Sequence, residues 1–325
     1  MRVAVYGAGA VGCVFGAALA KGGARGGPGG GHEVVFIARG RTLEAIREHG
    51  VRVRRGEPDT PDTLDAPGAT ATDDPASVGP VDLVLVCVKA WQVPEVALAM
   101  RPLVEPGRTS VIPLQNGVDA PRQLAEVLGP ERVLPGSCRV ICETVEPGVA
   151  SQSAFIQEIT FGPYSPELEP DQRPRIERIA GALRASEIAA AVPEDIWAAL
   201  WWKFAFISTL SGLGAVTRMT TGELRTHPET RELVEACLAE IVNVGRARAV
   251  GLGASAAAEI MAFIDTVPAG MTTSMQRDWQ AGRPSELEAQ PGAVVRLGRE
   301  AGVPTPVSGF CWRVLSPGER VARGG

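Results

Sequence analysis

The chain has 325 residues, of which 45% are apolar and 21% are charged, and its formal net charge at pH 7 is −5. This length suffices for two domains with separate cores, and the composition is that of a soluble globular protein. The acidic balance leaves no basic footprint, so we do not expect nucleic acid as a partner. Six cysteines without a CxxC motif favour free thiols in a reducing cytoplasm, and three widely separated histidines give no metal-ligand spacing.

The first twelve residues place three glycines between a short β-type run, residues 3–6, and a helix-forming stretch, residues 11–20. In a dinucleotide-binding turn the first glycine makes the bend, the second admits a pyrophosphate, and the third lets the helix pack on the strand. The N–H groups at the helix N-terminus then hold the pyrophosphate. The predicted cofactor-binding residues of this turn are Gly7, Ala8, Gly9, Ala10, Val11 and Gly12.

Residues 3–20 carry no charge, so a signal peptide or a membrane helix is an alternative interpretation of the same segment. The repeated glycines interrupt the apolar run that either alternative needs. We therefore favour the nucleotide-binding turn and a cytoplasmic protein.

Strands and helices alternate through the N-terminal half, which predicts an α/β fold with a Rossmann-type, doubly wound parallel sheet. Residues 22–31 are a glycine-rich loop, and residues 51–72 form a more polar excursion. The strand at 82–89 is nearly all β-branched residues or leucine, which indicates burial on both faces. The other predicted strands are 34–38, 109–114, 133–142 and 155–162, and the predicted helices are 42–49, 91–100 and 118–128.

From about residue 195 helical patterns dominate the sequence. The predicted helices are 195–215, 229–250, 255–264 and 285–301, the last ending before Pro304 and Pro306. We therefore predict an NADP-binding Rossmann-like domain over residues 1–192 and an all-helical substrate domain over residues 193–325. A cleft between two such domains is a common place for a substrate.

The end of the second strand bears on the choice of cofactor. An NAD-preferring site usually carries Asp or Glu there, to bind the ribose hydroxyls, but this chain has Ala38, Arg39 and Gly40. An arginine would pair with the extra phosphate of NADP, so Arg39 predicts NADP (NADPH); a solvated arginine is the alternative. Lys89 and Asn116 follow two further strands, at the sheet edge where ligands bind.

One lysine, Lys203, is the only charge in residues 196–216. A membrane span is disfavoured, because a central lysine there costs roughly 2.5–3.5 kcal/mol. In a soluble core helix the lysine either extends its amine to solvent or serves a site. A desolvated lysine with a carboxylate partner can act as a proton donor. The spacing alone leaves these two roles open.

At this point the chain resembles the 2-dehydropantoate (ketopantoate) reductase family over nearly its whole length. The resemblance is carried by GAGAVG at 7–12, FIARG at 36–40, VKAWQV at 88–93 and QNGVD at 115–119. In the second half it is carried by WWKF at 201–204, GEL at 222–224, the segment 274–288 and GVPTPV at 302–307. The resemblance implies reduction of a 2-keto acid with NADPH.

The resemblance also implies a role for each matching residue. Lys203 would be the general acid that protonates the developing alkoxide, and Glu286 would hold it and lie near the cofactor. Asn116 would contact the nicotinamide ribose and the substrate, Lys89 the cofactor, and Ser274 the substrate carboxylate. Arg283 and Asp278 match too, but for them a salt bridge at a helix end is at least as good an interpretation.

The sequence departs from the family at the substrate end. Ile207, Ser211 and Thr221 stand where the family has asparagines, and Pro291-Gly292 replaces the usual Asn-Gly. Ile207 and Ser211 remain candidate substrate-binding positions, but an isoleucine cannot pair a hydroxyl as an amide does. We expect a different, less polar small-molecule carbonyl substrate, with ketopantoate and pantothenate biosynthesis left open. A non-catalytic NADP-binding or redox-sensing protein is the alternative function, and a homodimer is an alternative to a monomer.

Overall fold

The computed structural model describes residues 1–24, 32–56 and 62–325. Most of the predicted glycine-rich loop and part of the predicted polar excursion lie outside these residues. Two compact units emerge: Met1–Gln115 with Ala120–Ile196, and Trp197–Gly325 with the short insert Asn116–Asp119.

The first unit combines strands and helices. In its described residues the strands are β1 Arg2–Tyr6, β2 Glu33–Ile37, β3 Val51–Arg55, β4 Asp62–Ala66, β5 Thr70–Thr72, β6 Leu83–Val86, β7 Ser110–Pro113, β8 Gly136–Glu146, β9 Val149–Phe161 and β10 Ala189–Ala191. The helices are α1 Ala10–Ala24, α2 Gly40–His49, α3 Val93–Ala99, α4 Ala120–Leu128 and α5 Glu169–Ala185.

Five strands form a parallel sheet in the order β5-β2-β1-β6-β7. Four of them are predicted strands, whereas the edge strand β5 lies in the segment 51–72 that was predicted as a polar excursion. Its middle strands are buried on both faces, as expected for β6: Leu83 and Leu85 face one core, and Val84 and Val86 face the other. The chain winds outward from β1 to β2 and then returns to place β6 on the other side of β1. Ligands bind beyond the carboxyl ends of the strands at such a reversal.

The strands predicted at 133–142 and 155–162 do not extend the parallel sheet, and that part of the prediction is wrong. They form the antiparallel hairpin β8–β9 in a second sheet, whose order is β10-β9-β3-β4. The cause is the tight connection Pro147-Gly148, with φ +76° at Gly148. A connection this short cannot hold the crossover that parallel strands require.

The second unit is helical. Its helices are α6 Ile196–Thr217, α7 Thr221–Thr226, α8 Pro228–Ala247, α9 Ala256–Thr266, α10 Ser274–Gln280, α11 Pro291–Ala301 and α12 Pro306–Ala322. The predicted helix at 285–301 begins later, because Pro291 occupies its first turn. Helix α12 is not among the predicted helices, because Pro306 was interpreted as a stop. Pro306 instead stands in the first turn of α12, where proline is favoured.

Helix α6 is central to the second unit. It is long and apolar enough to cross a membrane, but 67% of its most apolar window is buried inside the protein. That burial is typical of the core helix of a soluble protein. Trp201 and Phe204 of α6 pack in the same core as Leu238 and Ile241 of α8.

Candidate active site

The glycine turn joins β1 to α1, and its three glycines meet different surroundings. At Gly7 the backbone has φ +101°, and a Cβ would lie 2.8 Å from the backbone nitrogen of Val88. At Gly12 a Cβ would collide with the carbonyl oxygen of Gly7. At Gly9 a Cβ would meet nothing within 4 Å, and the residue is exposed. Two glycines are therefore needed by the fold itself, and the third leaves open space over the turn.

The first turn of α1 faces that open space. The amide of Cys13 donates to the carbonyl oxygen of Gly9 at 2.8 Å, which closes the first turn of the helix. N–H groups in a first turn, here those of Ala10, Val11 and Gly12, have no acceptor within their helix. Together with Ala8 they provide donors that suit an anionic group.

Arg39 lies where the sequence places it, just beyond the carboxyl end of β2 at the start of α2. Its side chain is 64% exposed, and its Nη1 lies 3.2 Å from Oε1 of Glu95, which is 68% exposed. Burial raises the pKa of the neighbouring Tyr6, while the charge of Arg39 opposes that rise. Glu95 is not among the predicted site residues, because it lies on α3, far from Arg39 in the chain.

Lys89 follows β6 at the same sheet edge and is exposed. Its Nζ lies 5.9 Å from the ring centroid of Trp91, and its backbone N–H donates to Oε1 of Gln92 at 3.1 Å. The lysine thus stands on a short turn directly after a buried strand.

Gln115 links two strand ends and was also missed. Its Nε2 donates to the carbonyl oxygens of Val86 at 2.8 Å and Val88 at 2.7 Å. The amide thereby ties the residues after β7 to those after β6. The sequence feature that points to Gln115 is its position directly before Asn116. Nothing in the sequence pattern separates a structural amide from a ligand-binding one.

In the second unit, Lys203, Ile207 and Ser211 follow one another at intervals of four residues along α6, so they share one side of the helix. Lys203 and Ile207 are partly exposed, whereas Ser211 is 0% exposed. The Ser211 hydroxyl donates to Oγ1 of Thr273 at 3.0 Å. The accessible part of this side of the helix therefore ends at Ile207.

Ser274 begins α10, and Thr273 caps that helix. The Thr273 hydroxyl accepts from the backbone N–H of Gln276 at 3.2 Å. The bond from Ser211 to Thr273 thus fixes the start of α10, and with it Ser274, against α6. At another family position, the hydroxyl of Thr221 donates to the carbonyl oxygen of Met271 at 3.0 Å.

Glu286 is 7% exposed and lies in the turn before α11. Its neighbour Ser285 is held by the buried carboxylate of Glu319, which accepts from the backbone N–H at 2.9 Å and from the hydroxyl at 2.6 Å. Arg323 completes the group, with its Nε 2.7 Å from Glu319. This network fixes the backbone from which Glu286 projects.

The short insert carrying Asn116 packs onto the same region. At Gly117, with φ +102°, a Cβ would lie 2.8 Å from the carbonyl oxygen of Ala289, three residues after Glu286. Asp119 binds Arg296 on α11, with 2.6 Å between Oδ2 and Nη2. A further predicted pair, Arg283 and Asp278, forms a salt bridge of 2.8 Å.

The structure thus places the predicted residues in two groups. The glycine turn, Arg39 and Lys89 lie at one sheet edge of the first unit. In the second unit, Gly212 on α6 would bring a Cβ within 3.3 Å of Pro291, so the α6 segment with Ser211 packs beside the turn that follows Glu286. Gly117, next to Asn116, contacts Ala289 of that turn. Thr273, next to Ser274, is hydrogen-bonded to Ser211 of α6.

Comparison with known proteins gives the family. The profile described as "Ketopantoate reductase PanE/ApbA" matches residues 3–166, and its C-terminal counterpart matches residues 195–319. The chain is 28% identical over 313 residues to the 2-dehydropantoate 2-reductase of Halobacterium salinarum, covering 94% of this chain and 95% of that protein. It is also 28% identical over 309 residues to that of Mycobacterium tuberculosis, covering 94% of each.

Solved structures agree. A PanE/ApbA family ketopantoate reductase from Ralstonia eutropha JMP134 superposes with a TM-score of 0.83 at 28% identity, covering 99% of this chain and 100% of that one. A D-mandelate dehydrogenase solved with NADH and anilino(oxo)acetate gives 0.85 at 21% identity, with the same coverage, a likeness that shows the fold. The chain belongs to the ketopantoate reductase family of oxidoreductases.

Proposed function

We propose that this member of the ketopantoate reductase family is an NADPH-dependent reductase that converts a 2-keto acid, or a related carbonyl compound, to the hydroxy compound. The observation that carries the proposal is Lys203, the one charge on a core helix, partly exposed and four residues before Ile207. Partial burial of a charged amine costs free energy, so we expect a lysine at this place to have a function. Proton donation to a reduced carbonyl is such a function.

The first unit fits a dinucleotide. Gly7 is required by its close approach to Val88, and Gly12 by its close approach to the Gly7 carbonyl. Among the described residues, no neighbouring atom requires a glycine at position 9. Space of this kind over unpaired N–H groups fits a pyrophosphate. Gly7 to Gly12, Arg39, Lys89 and Asn116 would hold the nicotinamide dinucleotide, with Glu286 near it, and the bound cofactor would supply a hydride.

Arg39 supports NADP over NAD. It occupies the end of β2, where an acidic residue would bind the ribose hydroxyls of NAD, and its guanidinium extends into solvent. A planar guanidinium can bind a phosphate with two parallel hydrogen bonds. The ion pair with Glu95 is exposed, so a phosphate could displace the carboxylate at small cost.

The chemistry of Lys203 follows from charge. Hydride arriving at a carbonyl carbon leaves negative charge on the oxygen, and an ammonium placed there stabilises that charge and supplies the proton. Glu286, held by the Ser285–Glu319 network, would orient the lysine. Ser274 would meet the substrate carboxylate at the N-terminus of α10, where partial positive charge favours an anion.

The protein's setting also enters the proposal. A small carbonyl compound is the expected partner, the cytoplasm the expected compartment, and a homodimer the oligomeric form to test. Cys13, Cys237 and Cys311 are buried free thiols, which suits a reducing compartment.

The test is a paired assay of NADPH and NADH oxidation over ketopantoate and a range of branched and aromatic 2-keto acids. We expect turnover with NADPH, and a loss of several orders of magnitude in kcat for Lys203→Ala. Lys21→Ala is the matched control, because Lys21 is an exposed lysine on α1. Normal turnover by Lys203→Ala would show that Lys203 is not the general acid. Tight NADPH binding without turnover on any carbonyl would favour the non-catalytic alternative.

A further inference from the structure

Two aromatic residues of α6 close to Lys203 in the chain, Trp202 and Phe206, form a cluster with Phe263 of α9 and have no role in the function proposed so far. Trp202 and Phe206 on α6 both contact Phe263 on α9, with ring centroids 5.2 Å and 5.1 Å apart and steep interplanar angles of 62° and 75°. Trp202 and Phe206 themselves are 6.4 Å apart. We call Trp202, Phe206 and Phe263 the aromatic wall.

The aromatic wall is accessible. Each of its three residues is partly exposed, whereas Trp201 and Phe204 on the same helix are at most 2% exposed. Trp202 and Phe206 pack on the core of the second unit from its outer side. Edge-to-face contacts hold such rings in fixed orientations, so the wall is ordered before a ligand arrives.

The aromatic wall is adjacent to the proposed acid. At 100° per residue, Phe206 lies about 60° around α6 from Lys203 and Ile207 about 40° on the other side. Phe206 is one helical turn, roughly 5 Å, further along the axis. Phe206 and Ile207 therefore flank the line of Lys203 along the helix, one turn after it, with an aromatic side chain on one side and an aliphatic one on the other.

The hydroxyl side chains of α6 nearest the aromatic wall are buried. Ser208, Thr209 and Ser211 of α6 are all at most 2% exposed. At the three positions where the family has asparagines, Ile207 is apolar, Ser211 donates to Thr273, and Thr221 donates to the carbonyl of Met271. Apart from Lys203, α6 therefore offers no accessible donor to a substrate hydroxyl placed beside Phe206 and Ile207, which disfavours a hydroxylated side chain there.

We propose that the substrate of this site is a 2-keto acid whose side chain carries an aromatic ring, bound between the aromatic wall and Ile207. This rests on the proposed 2-keto acid reduction and narrows its substrate class. Aromatic rings bind one another in edge-to-face and offset geometries, and Ile207 supplies an apolar second side. The keto oxygen then lies toward Lys203.

The first experiment compares kcat/KM with NADPH for phenylglyoxylate, 3-methyl-2-oxobutanoate and ketopantoate. We expect phenylglyoxylate to exceed both by at least about tenfold. Phe206→Ala should remove most of that preference and leave NADPH affinity unchanged, and Phe206→Leu should retain folding and part of the preference. Phe310→Ala, which truncates an exposed phenylalanine on α12, is the control and should change nothing. Equal rates for the three acids, or a preference unaffected by Phe206→Ala, would overturn the inference.

A binding measurement separates this inference from the proposed function. N-phenyloxamate and oxamate are unreactive 2-keto acid mimics that differ by the ring, and calorimetry gives their Kd in the NADPH complex. We expect the phenyl compound to bind at least about tenfold more tightly in the wild type and equally in Phe206→Ala. That result without turnover on any keto acid would refute the reductase and keep the aromatic site. Turnover with equal binding of the two mimics would keep the reductase and refute the aromatic site.

Discussion

Arg39 and Glu95, 56 positions apart in the chain, form an ion pair with 3.2 Å between Nη1 and Oε1. The Glu95 carboxylate thus accepts from an N–H donor of the Arg39 guanidinium that would otherwise be available to the 2′-phosphate of NADP. We predict that Glu95→Gln lowers the Kd for NADPH roughly threefold to tenfold and changes that for NADH little, since a competing charge is removed. Fluorescence titration measures both constants.

Glu126→Gln on α4 is the control for that experiment, because it changes the net charge equally at another exposed glutamate. Arg39→Asp should reverse the cofactor preference. If Glu95→Gln weakens NADPH, the carboxylate assists the cofactor, and the competition described above is wrong.

The glycine turn gives a pair of substitutions with opposite consequences. Gly9→Ala adds a methyl group where nothing lies within 4 Å, so we predict a free energy of unfolding within about 0.5 kcal/mol of the wild type. Its Kd for NADPH should nevertheless rise at least about tenfold, because the methyl group occupies the space of the pyrophosphate. Urea unfolding and NADPH titration measure the two effects separately.

Gly12→Ala is the counterpart. Its Cβ would collide with the carbonyl oxygen of Gly7, so the turn or the helix must shift, and we predict destabilisation of about 1–3 kcal/mol or more. A Gly9→Ala variant that binds NADPH normally would show that the open space is not a cofactor site. An equally stable Gly12→Ala variant would show that the turn is pliable.

Ser285 is predicted to position Glu286 without touching substrate. Ser285→Ala removes a buried hydrogen bond of 2.6 Å to the carboxylate of Glu319 and should destabilise the protein by roughly 1.5–3 kcal/mol. Activity should fall through kcat, with KM little changed, because the backbone before Glu286 keeps only its N–H bond to Glu319 and is held less firmly. Ser285→Thr keeps the hydroxyl and should restore kcat. If kcat is unchanged in a destabilised Ser285→Ala variant, the network supports the fold alone.

The buried thiols predict how stability changes at alkaline pH. Burial raises the pKa of Cys13 and Cys311 to about 12 each, from an ordinary value of 9. The folded state therefore keeps these thiols neutral while the unfolded chain ionises them. Their contribution to stability is complete below about pH 9 and is lost as the pH rises from there toward 12, by at most about 1.4 kcal/mol per pH unit per thiol.

Urea unfolding under reducing conditions between pH 7 and pH 10.5 tests this expectation. Cys13→Ala is the informative variant, because the difference between its pH slope and that of the wild type isolates one thiol from the tyrosines and lysines that titrate in the same range. Parallel slopes for the two proteins would show that Cys13 ionises as easily in the fold as in the unfolded chain.

The parallel sheet could be predicted from the sequence because its signals are local. Runs such as 82–89 are buried on both faces, and each is followed by a helix. The whole second sheet could not, because its strand β9 pairs with remote segments: with β3, about a hundred residues earlier, and with β10, about thirty residues later. Its antiparallel pairs β3–β4 and β8–β9 join segments that are near each other in the chain, and for β8–β9 the local signal is Pro147-Gly148.

The candidate site divides in a similar way. Lys203 is detectable because only three of the 32 basic residues are lysine, the others being Lys21 and Lys89. A lysine can donate a proton where an arginine cannot, so a lysine on a core helix is a candidate proton donor, although its spacing alone also fits a lysine that extends its amine to solvent. Glu95, Gln115 and Glu319 were not predictable, because each acts through a partner that only the fold brings near.

The insert Asn116–Asp119 has a consequence for dividing the protein. These four residues belong to the helical unit although the first unit surrounds them in the chain, and they supply the buried Val118 and the partner of Arg296. A gene fragment encoding residues 197–325 would therefore yield a polypeptide with a gap in its core, in which Arg296 keeps Glu300 as an ion-pair partner but loses Asp119. If the helical unit is exchanged between relatives, by recombination or by design, the four residues Asn116–Asp119 have to be exchanged with it, although they lie within the chain segment of the first unit.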